Sequence, residues 1–183
     1  QNAQATYVGP EAEIRADALT SGDGGKAIVW SNAATRYYGS ITAKGADSNG
    51  NGGFTEVSGK KFLDFNGLVD TSAKSGLSGK LLLDPTNIYI ASSQANATTA
   101  GMASTDNSAD TSTAPNFVTS GAVQDSLLKT STIVSALGTN NVTVTTNNAS
   151  GAGVGNVTIV DPIAYAGGTN RTLQLTAANA INI

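Results

Sequence analysis

The sequence predicts an all-β fold in which the chain winds into a β-solenoid with coils of about 27 residues. Three observations support this prediction: short strand-like segments recur 26–28 residues apart, apolar and polar residues alternate within them, and small polar residues dominate the composition. Gly, Ser, Thr and Asn make up 79 of the 183 residues. A solenoid needs such residues because its turns recur every few residues and often require Gly or Asn.

Each repeat contains three kinds of short strand, separated by turns rich in Gly, Asn, Asp and Ser. Strands of the first kind follow Gly25, Gly53 and Gly79. One repeat forms one coil, and consecutive coils are expected to stack with their strands about 4.8 Å apart. The first kind covers 26–30, 54–58 and 80–84, the second 35–39, 63–67 and 86–90, and the third 14–18, 41–45 and 69–73.

The alternation indicates which side chains face the core. Each strand of the first kind has two alternating sets of side chains, and one set contains the charged residues Lys26, Glu56 and Lys80. Burying that set would be costly, so the other set faces the core. The expected inward residues are therefore Ala27, Val29, Thr55, Val57, Leu81 and Leu83 in the first kind, and Ile14, Ala16, Ile41, Ala43, Val69 and Thr71 in the third.

The same register predicts two exposed ion pairs between neighbouring coils. Arg36 is expected to lie over Asp64, and Asp17 beside Lys44. Each such exposed pair contributes less than about 1 kcal/mol, so the pairs matter mainly as a check on the register.

Residues 91–138 interrupt the repeats. The part from 91 to 121 is nearly all Ala, Ser, Thr, Asn and Asp, which is typical of a loop leaving the coil. Apolar residues at helical spacing, from Val123 to Leu137, predict short helical turns over 122–137. Strands are then expected to resume at 142–145, 157–160, 172–175 and 181–183.

Three parts follow from this pattern: β-helix coils over 1–90, an insertion of a Ser/Thr/Asn-rich loop plus a short helix over 91–138, and further coils over 139–183. Because the repeats reach both ends, we interpret the chain as an excerpt from a longer protein. Outward residues of the first strand kind form an apolar strip, which we expect the insertion to cover. Its members are Ile28, Trp30, Phe54 and Leu82.

The composition argues against several classes of function. The sequence has no Cys and no His, which removes thiol nucleophiles, Ser–His–Asp triads and the usual zinc sites. Ten basic against thirteen acidic residues give a net charge of −3, so no nucleic-acid partner is expected. No apolar run approaches the roughly 20 residues that a membrane span needs.

Catalytic residues are not expected either. Solenoid enzymes that act on polysaccharides cluster carboxylates or basic residues on one exposed face. Here the outward column formed by Arg36, Asp64 and Tyr89 changes chemical type at every coil. The sequence therefore predicts a protein that is not an enzyme.

Several segments resemble the filamentous haemagglutinin-like adhesins of two-partner secretion systems in Gram-negative bacteria. The resemblance runs through GGKAIVWS (24–31), YGSITAKG (38–45), GGFTEVSGK (52–60), VDTSA (69–73), GKLLLDPTNI (79–88), NNVTVTT (140–146) and TLQLTAAN (172–179). It implies a right-handed parallel β-helix that is secreted through an outer-membrane partner to the cell surface. It also implies a role in attachment or biofilm formation.

Few residues qualify as binding-site candidates. Asp47, Asn49 and Asn51 place oxygen atoms at alternate positions, as calcium loops do, but Ser58 stands where such a loop has its Glu. The alternative is an ordinary turn between coils, and no other cofactor is expected. Five Asn-X-Ser/Thr sequences, at Asn96, Asn141, Asn148, Asn156 and Asn170, are close to the number expected by chance.

Exposed aromatic residues are a second set of candidates. Trp30, Tyr38 and Tyr89 are able to stack on sugar rings, or else they shield the coil.

The sequence thus leaves three functional hypotheses. The first is a rigid β-helical rod that supports attachment or biofilm formation as part of a large surface adhesin. The second is a module that binds a glycan or a host surface protein through the 91–138 insertion. The third, an enzyme acting on polysaccharide, is disfavoured.

Overall fold

A computed structural model describes residues 2–103, 125–146, 153–167 and 170–183. Its strands are all parallel and wind into a solenoid of about five turns, with equivalent strands about 28 residues apart. The predicted fold class is confirmed. The strands of the described residues are β1 (Ala5–Val8), β2 (Glu13–Arg15), β3 (Lys26–Ser31), β4 (Ala34–Tyr37), β5 (Ser40–Thr42), β6 (Phe54–Gly59), β7 (Phe62–Phe65), β8 (Leu68–Asp70), β9 (Lys80–Leu83), β10 (Asn87–Ala91), β11 (Asp125–Lys129), β12 (Asn141–Thr145), β13 (Val157–Ile159), β14 (Leu173–Thr176) and β15 (Ile181–Asn182). The helices are α1 (Gln94–Thr99) and α2 (Thr130–Leu137).

Strands of the first kind form one unbroken sheet, which we call the first face. Its order is β3, β6, β9, β12 and β14, and Ala27, Thr55, Leu81 and Val142 stand in register across it. The second face contains β1, β4 and β7, followed by β11, β10, β13 and β15. The third face contains β2, β5 and β8.

The core is a single column of side chains enclosed by these faces. All the inward residues expected from the alternation are buried, except Ile14 and Ala16 in the first coil, which are half-buried. Val57, Leu83 and Val144 have almost no exposed surface. The period-two alternation therefore identifies the core correctly on both the first and the third face.

Close stacking of the turns explains several glycines. A Cβ atom on Gly52 would lie 1.7 Å from the Thr71 carbonyl oxygen in the next coil. Gly50 has φ of 126°, a left-handed conformation that side chains disfavour. At these positions only glycine fits without moving the backbone.

Strand β11 lies between β7 and β10, out of chain order. It pairs in parallel with β10 and also contacts β7, where the Leu63 N–H donates to Ser126 Oγ at 2.9 Å. Tyr89 consequently has Leu127 as its neighbour. The predicted column of Arg36, Asp64 and Tyr89 is wrong at its third member, because β11 occupies the position beside β7.

The helix predicted over 122–137 is only partly a helix. Residues 125–129 form β11, 130–137 form α2, and 122–124 lie outside the described residues. Leu127 and Leu128 are buried on opposite sides of β11. Burial on both sides, together with the free edge of β10, favours a strand over the helix that the spacing indicated.

The predicted loop also contains a short helix. In α1 the Ser93 side chain accepts the Asn96 N–H, and Ala97 is buried against Met102 and Leu127. Residues 104–121 of that predicted loop, and the Asn148 sequence, lie outside the described residues.

Neither of the two helices described in the insertion covers the apolar strip of the first face, and coverage by residues 104–124, which lie outside the described residues, stays a prediction. Helix α2 buries Ile133 and Leu137 in the main core, and α1 packs on the outer side of the second face. Ile28 remains 52% exposed. The apolar side of α2 is used instead to close the third face, where no strand follows β8 among the described residues.

The two ion pairs predicted from the register have different outcomes. Arg36 and Asp64 are in register with 3.9 Å between Nη1 and Oδ2, but they are buried rather than exposed. Asp17 accepts the backbone N–H of Lys44 at 2.7 Å. The Lys44 ammonium pairs with Asp70 at 3.0 Å instead, because Asp70 lies on the adjacent strand of the next coil.

Candidate functional site

A groove with a volume of about 390 Å³ runs along the outer side of the third face, beside α2. Its floor is formed by outward residues of β5 and β8, and its wall by residues of α2 and the turn after it. Hydroxyl groups and two carboxylates line it together with exposed apolar surface. Its principal residues are Glu13, Ser40, Thr42, Leu68, Asp70, Thr132, Ser135 and Thr139.

The groove exists because a helix follows β8 on this face where a strand would repeat. A helix with its side chains is about 10 Å across, whereas strands are spaced about 4.8 Å apart. Helix α2 therefore stands above the level of the neighbouring strands and forms a step. Ile133, Ala136 and Leu137 are buried in the core, while Ser135 is exposed to solvent on the groove side.

Asn140 fixes the end of this wall to the solenoid. Its Oδ1 accepts the backbone N–H of Thr71 at 2.9 Å, and its Nδ2 donates to the Val69 carbonyl at 2.8 Å. Thr139 Oγ1 also donates to the Val69 carbonyl at 2.9 Å. These bonds hold the wall rigidly against the floor.

The charges of the groove are partly neutralised by neighbours. Burial acts to raise the pKa of Asp70, but hydrogen bonds from Ser72 and the Lys44 ammonium outweigh it and lower that pKa. Arg15 pairs with Glu13 at 2.7 Å on the exposed surface. With Leu68 65% exposed between these groups, the groove combines acceptors, hydroxyl donors and an apolar patch, which suits a polar, neutral ligand such as a sugar.

Each of the calcium candidates contacts a neighbouring coil. Asp47 Oδ2 is 3.3 Å from Lys74 Nζ, Asn49 Oδ1 accepts the Gly22 N–H at 3.1 Å, and Asn51 Oδ1 accepts the Leu77 N–H at 2.9 Å. Among the described residues, no three Asp or Glu side chains cluster in a way that could hold a metal ion. Calcium binding at Asp47, Asn49 and Asn51 stays a prediction.

The aromatic candidates are not brought together. Trp30 is half-buried on the first face, whereas Tyr38 and Tyr89 belong to the second. Burial and the neighbouring Asp64 carboxylate, which accepts the Tyr38 hydroxyl at 2.5 Å, raise the pKa of Tyr38 to about 12. Tyr89 packs with Ala91, Ala97, Met102 and Leu127 under α1. None of the three lines the groove, and a role in sugar binding stays a prediction for each.

Sequence reasoning did not find the groove residues. Thr42 is an outward position of a predicted third-kind strand, Leu68 directly precedes another, and Ser135 is a polar residue of the insertion. One feature of the sequence could have indicated the groove. No third-kind strand is predicted after residue 73, so a different element has to close the third face at that point.

No protein-family model matches the chain, and comparison with curated proteins found no match. The solenoid is compatible with a β-helical adhesin. In the part of the chain that the structure describes, no helix has both the length and the apolar character required to cross a membrane.

Proposed function

We propose that this chain is a rigid rod segment of a large secreted surface adhesin that supports attachment or biofilm formation. The observation that carries the proposal is the first face, whose five parallel strands continue without a break across the insertion. In a solenoid each coil is stabilised mainly by its neighbours, so a continuous ladder yields a stiff, extendable element. Such an element suits the projection of binding regions away from a cell.

Hydrogen bonds between turns add to this stiffness. At one edge of the solenoid, the Asn51 N–H donates to Asp23 Oδ1 at 2.7 Å, and Asn51 Oδ1 accepts from Leu77 at 2.9 Å. Asn51 therefore connects the preceding coil to the following one. Side-chain links of this kind tie the turns to one another in addition to the strand ladders.

Location and secretion route complete the proposal. The resemblance to filamentous haemagglutinin-like proteins supports export through an outer-membrane partner to the surface of a Gram-negative cell. Immunogold labelling of intact cells that encode this chain tests the location. We expect label on unpermeabilised cells and reduced attachment after deletion of the gene, restored by complementation. Label found only after permeabilisation contradicts the proposal.

The groove favours a second candidate, a module that binds a glycan or a host surface protein. Its wall belongs to the 91–138 insertion, so the insertion contributes directly to a concave surface. A glycan array with and without calcium tests this function. Ser135→Arg fills the groove, while Thr98→Arg places the same charge on the exposed side of α1 as a matched control.

We expect binding that Ser135→Arg abolishes and Thr98→Arg preserves. Binding that is equally strong in both variants contradicts a site in the groove. Binding that disappears only when calcium is removed indicates a calcium-dependent site, for which the Asp47 turn is one candidate.

A further inference from the structure

Two carboxylates on the outer side of the first face have no partner to offset their charge. Glu56 lies on β6, and Asp84 directly follows β9. Neither forms a hydrogen bond or an ion pair within the described residues. Because Val57 pairs with Leu83, the next residues, Ser58 and Asp84, lie opposite each other. Glu56 is the diagonal neighbour of Asp84.

The same place contains buried oxygen atoms without partners. Ser58 is fully buried, and its Oγ has no hydrogen-bond partner. Asp84 Oδ1 is also buried and without a partner. Burial, together with the charge of Glu56, raises the pKa of Asp84 to about 6. Folded proteins rarely leave such atoms unsatisfied, and two such oxygen atoms beside a second carboxylate are a suitable arrangement for binding a cation.

A second Asp-Pro sequence in the chain provides a direct comparison. Asp161, which precedes Pro162, accepts the Ser92 N–H at 2.6 Å, the Ser92 hydroxyl at 2.7 Å and the Asn96 amide at 2.9 Å. These hydrogen bonds lower the pKa of Asp161. Asp84 precedes Pro85 in the same way but accepts no such hydrogen bond from the described residues. The described residues thus provide hydrogen-bond donors for the Asp161 carboxylate but none for the Asp84 carboxylate.

We propose that Glu56, Asp84 and Ser58 Oγ bind a calcium ion between the second and third coils of the first face. Two residues along a strand span about 6.6 Å and one strand spacing is about 4.8 Å, so the Cα atoms of Glu56 and Asp84 are about 8 Å apart. Side chains of this length reach a common ion at the usual calcium–oxygen distance of about 2.4 Å. Water completes the six to eight oxygen ligands that calcium takes.

The bound ion neutralises both carboxylates and links β6 to β9. Because the site requires two stacked coils, calcium binds the folded chain and not the unfolded one. Binding therefore stabilises the solenoid, and the stabilisation rises with the logarithm of the calcium concentration once that concentration exceeds the Kd. This site is separate from the Asp47 turn, which lies at a different edge of the coil.

The single tryptophan provides a specific probe. Trp30 is in register with Ser58, one strand away, and the chain has no other Trp. Terbium, a luminescent substitute for calcium, bound at this site is expected to be sensitised by Trp30. We expect luminescence that calcium displaces and that Asp84→Asn and Glu56→Gln reduce by about tenfold or more in apparent affinity.

Asp161→Asn is the matched control and is expected to leave the luminescence unchanged. Circular dichroism of every variant checks that it is folded, and Ser58→Ala provides a milder third variant. Absence of both terbium luminescence and a calcium-dependent rise in Tm in the wild-type chain overturns the proposal. Luminescence that survives in Asp84→Asn and Glu56→Gln but is lost in Asp47→Asn overturns it as well.

Discussion

The Asn140 side chain holds Thr71 through two hydrogen bonds, one from the backbone N–H at 2.9 Å and one from the hydroxyl at 2.8 Å. Its amide nitrogen also donates to the carbonyls of Val69 and Ala136. A strand in the next coil would normally provide such bonds to the chain around β8. The amide thus replaces that strand and allows α2 to close the third face.

Loss of this amide is expected to destabilise the fold strongly. Asn140→Leu keeps the branched shape of the side chain but leaves the buried Thr71 N–H and hydroxyl without their acceptor. We expect the free energy of unfolding to fall by about 3 kcal/mol. Urea denaturation measures it, with Asn179→Leu on the exposed surface as control and an expected change below about 0.5 kcal/mol. Equal effects from the two variants contradict the structural role of Asn140.

The buried pair of Arg36 and Asp64 makes a second prediction. Asp64→Asn removes one charge and leaves the Arg36 guanidinium buried, which is expected to cost about 3 kcal/mol or more. The double variant Arg36→Met, Asp64→Leu is expected to regain most of that loss. Lys74→Ala, at the exposed pair with Asp47, provides the comparison, with a change below about 0.5 kcal/mol. Denaturation that shows no difference between Asp64→Asn and Lys74→Ala is inconsistent with burial of the pair.

Gly52 tests the close stacking of the turns. In Gly52→Ala the new Cβ meets the Thr71 backbone oxygen, which cannot move without separating two coils. We expect a fall in Tm of several degrees, or loss of folding. In Gly9→Ala the nearest atom is a Tyr7 ring carbon at 3.3 Å, and that ring can shift. Calorimetry is expected to show little change for Gly9→Ala, and a similar tolerance at Gly52 argues against the stacking.

Asp84 predicts a specific pH dependence in the presence of chelator. Its pKa of about 6 in the folded chain lies above the usual value of 3.8, so the folded state binds the proton more tightly. The charged carboxylate therefore destabilises the fold above pH 6, and this penalty disappears as the pH falls toward 4. After allowance for its partial exposure, Asp84→Asn is expected to be about 1 kcal/mol more stable at pH 8 and equal near pH 4. A stability difference that does not vary with pH contradicts the raised pKa.

Much of the fold was predictable because strand periodicity depends on local sequence. Val57 and Leu83 are inward and Lys26 is exposed, as the alternation required. The Arg36–Asp64 register also followed from the spacing of the repeats. Periodicity shows that Arg36 and Asp64 point away from the core, but it does not show whether other parts of the chain cover that side of the sheet. The pair was therefore expected to be exposed, and it is buried.

The insertion was less predictable because its structure depends on distant partners. The apolar spacing around Leu127 and Leu128 indicated a helix. These residues form a strand because the edge of β10 is available for pairing, and the local sequence does not show that edge. The groove and the unpartnered Asp84 were missed for a related reason. Glu56 and Asp84 are not directly opposite each other on neighbouring strands but are diagonal neighbours, and residues directly opposite one another do not reveal such a pair.

An amide NOESY spectrum of the isotope-labelled chain tests most directly whether the insertion returns into the solenoid as one of its strands. The parallel ladder predicts contacts from Val57 to Leu83 and from Leu83 to Val144 on the first face. On the second face, Ser126 is expected to contact Ile88 on one side and Leu63 on the other. Direct contacts between Leu63 and Ile88, with Ser126 near neither, would contradict this arrangement.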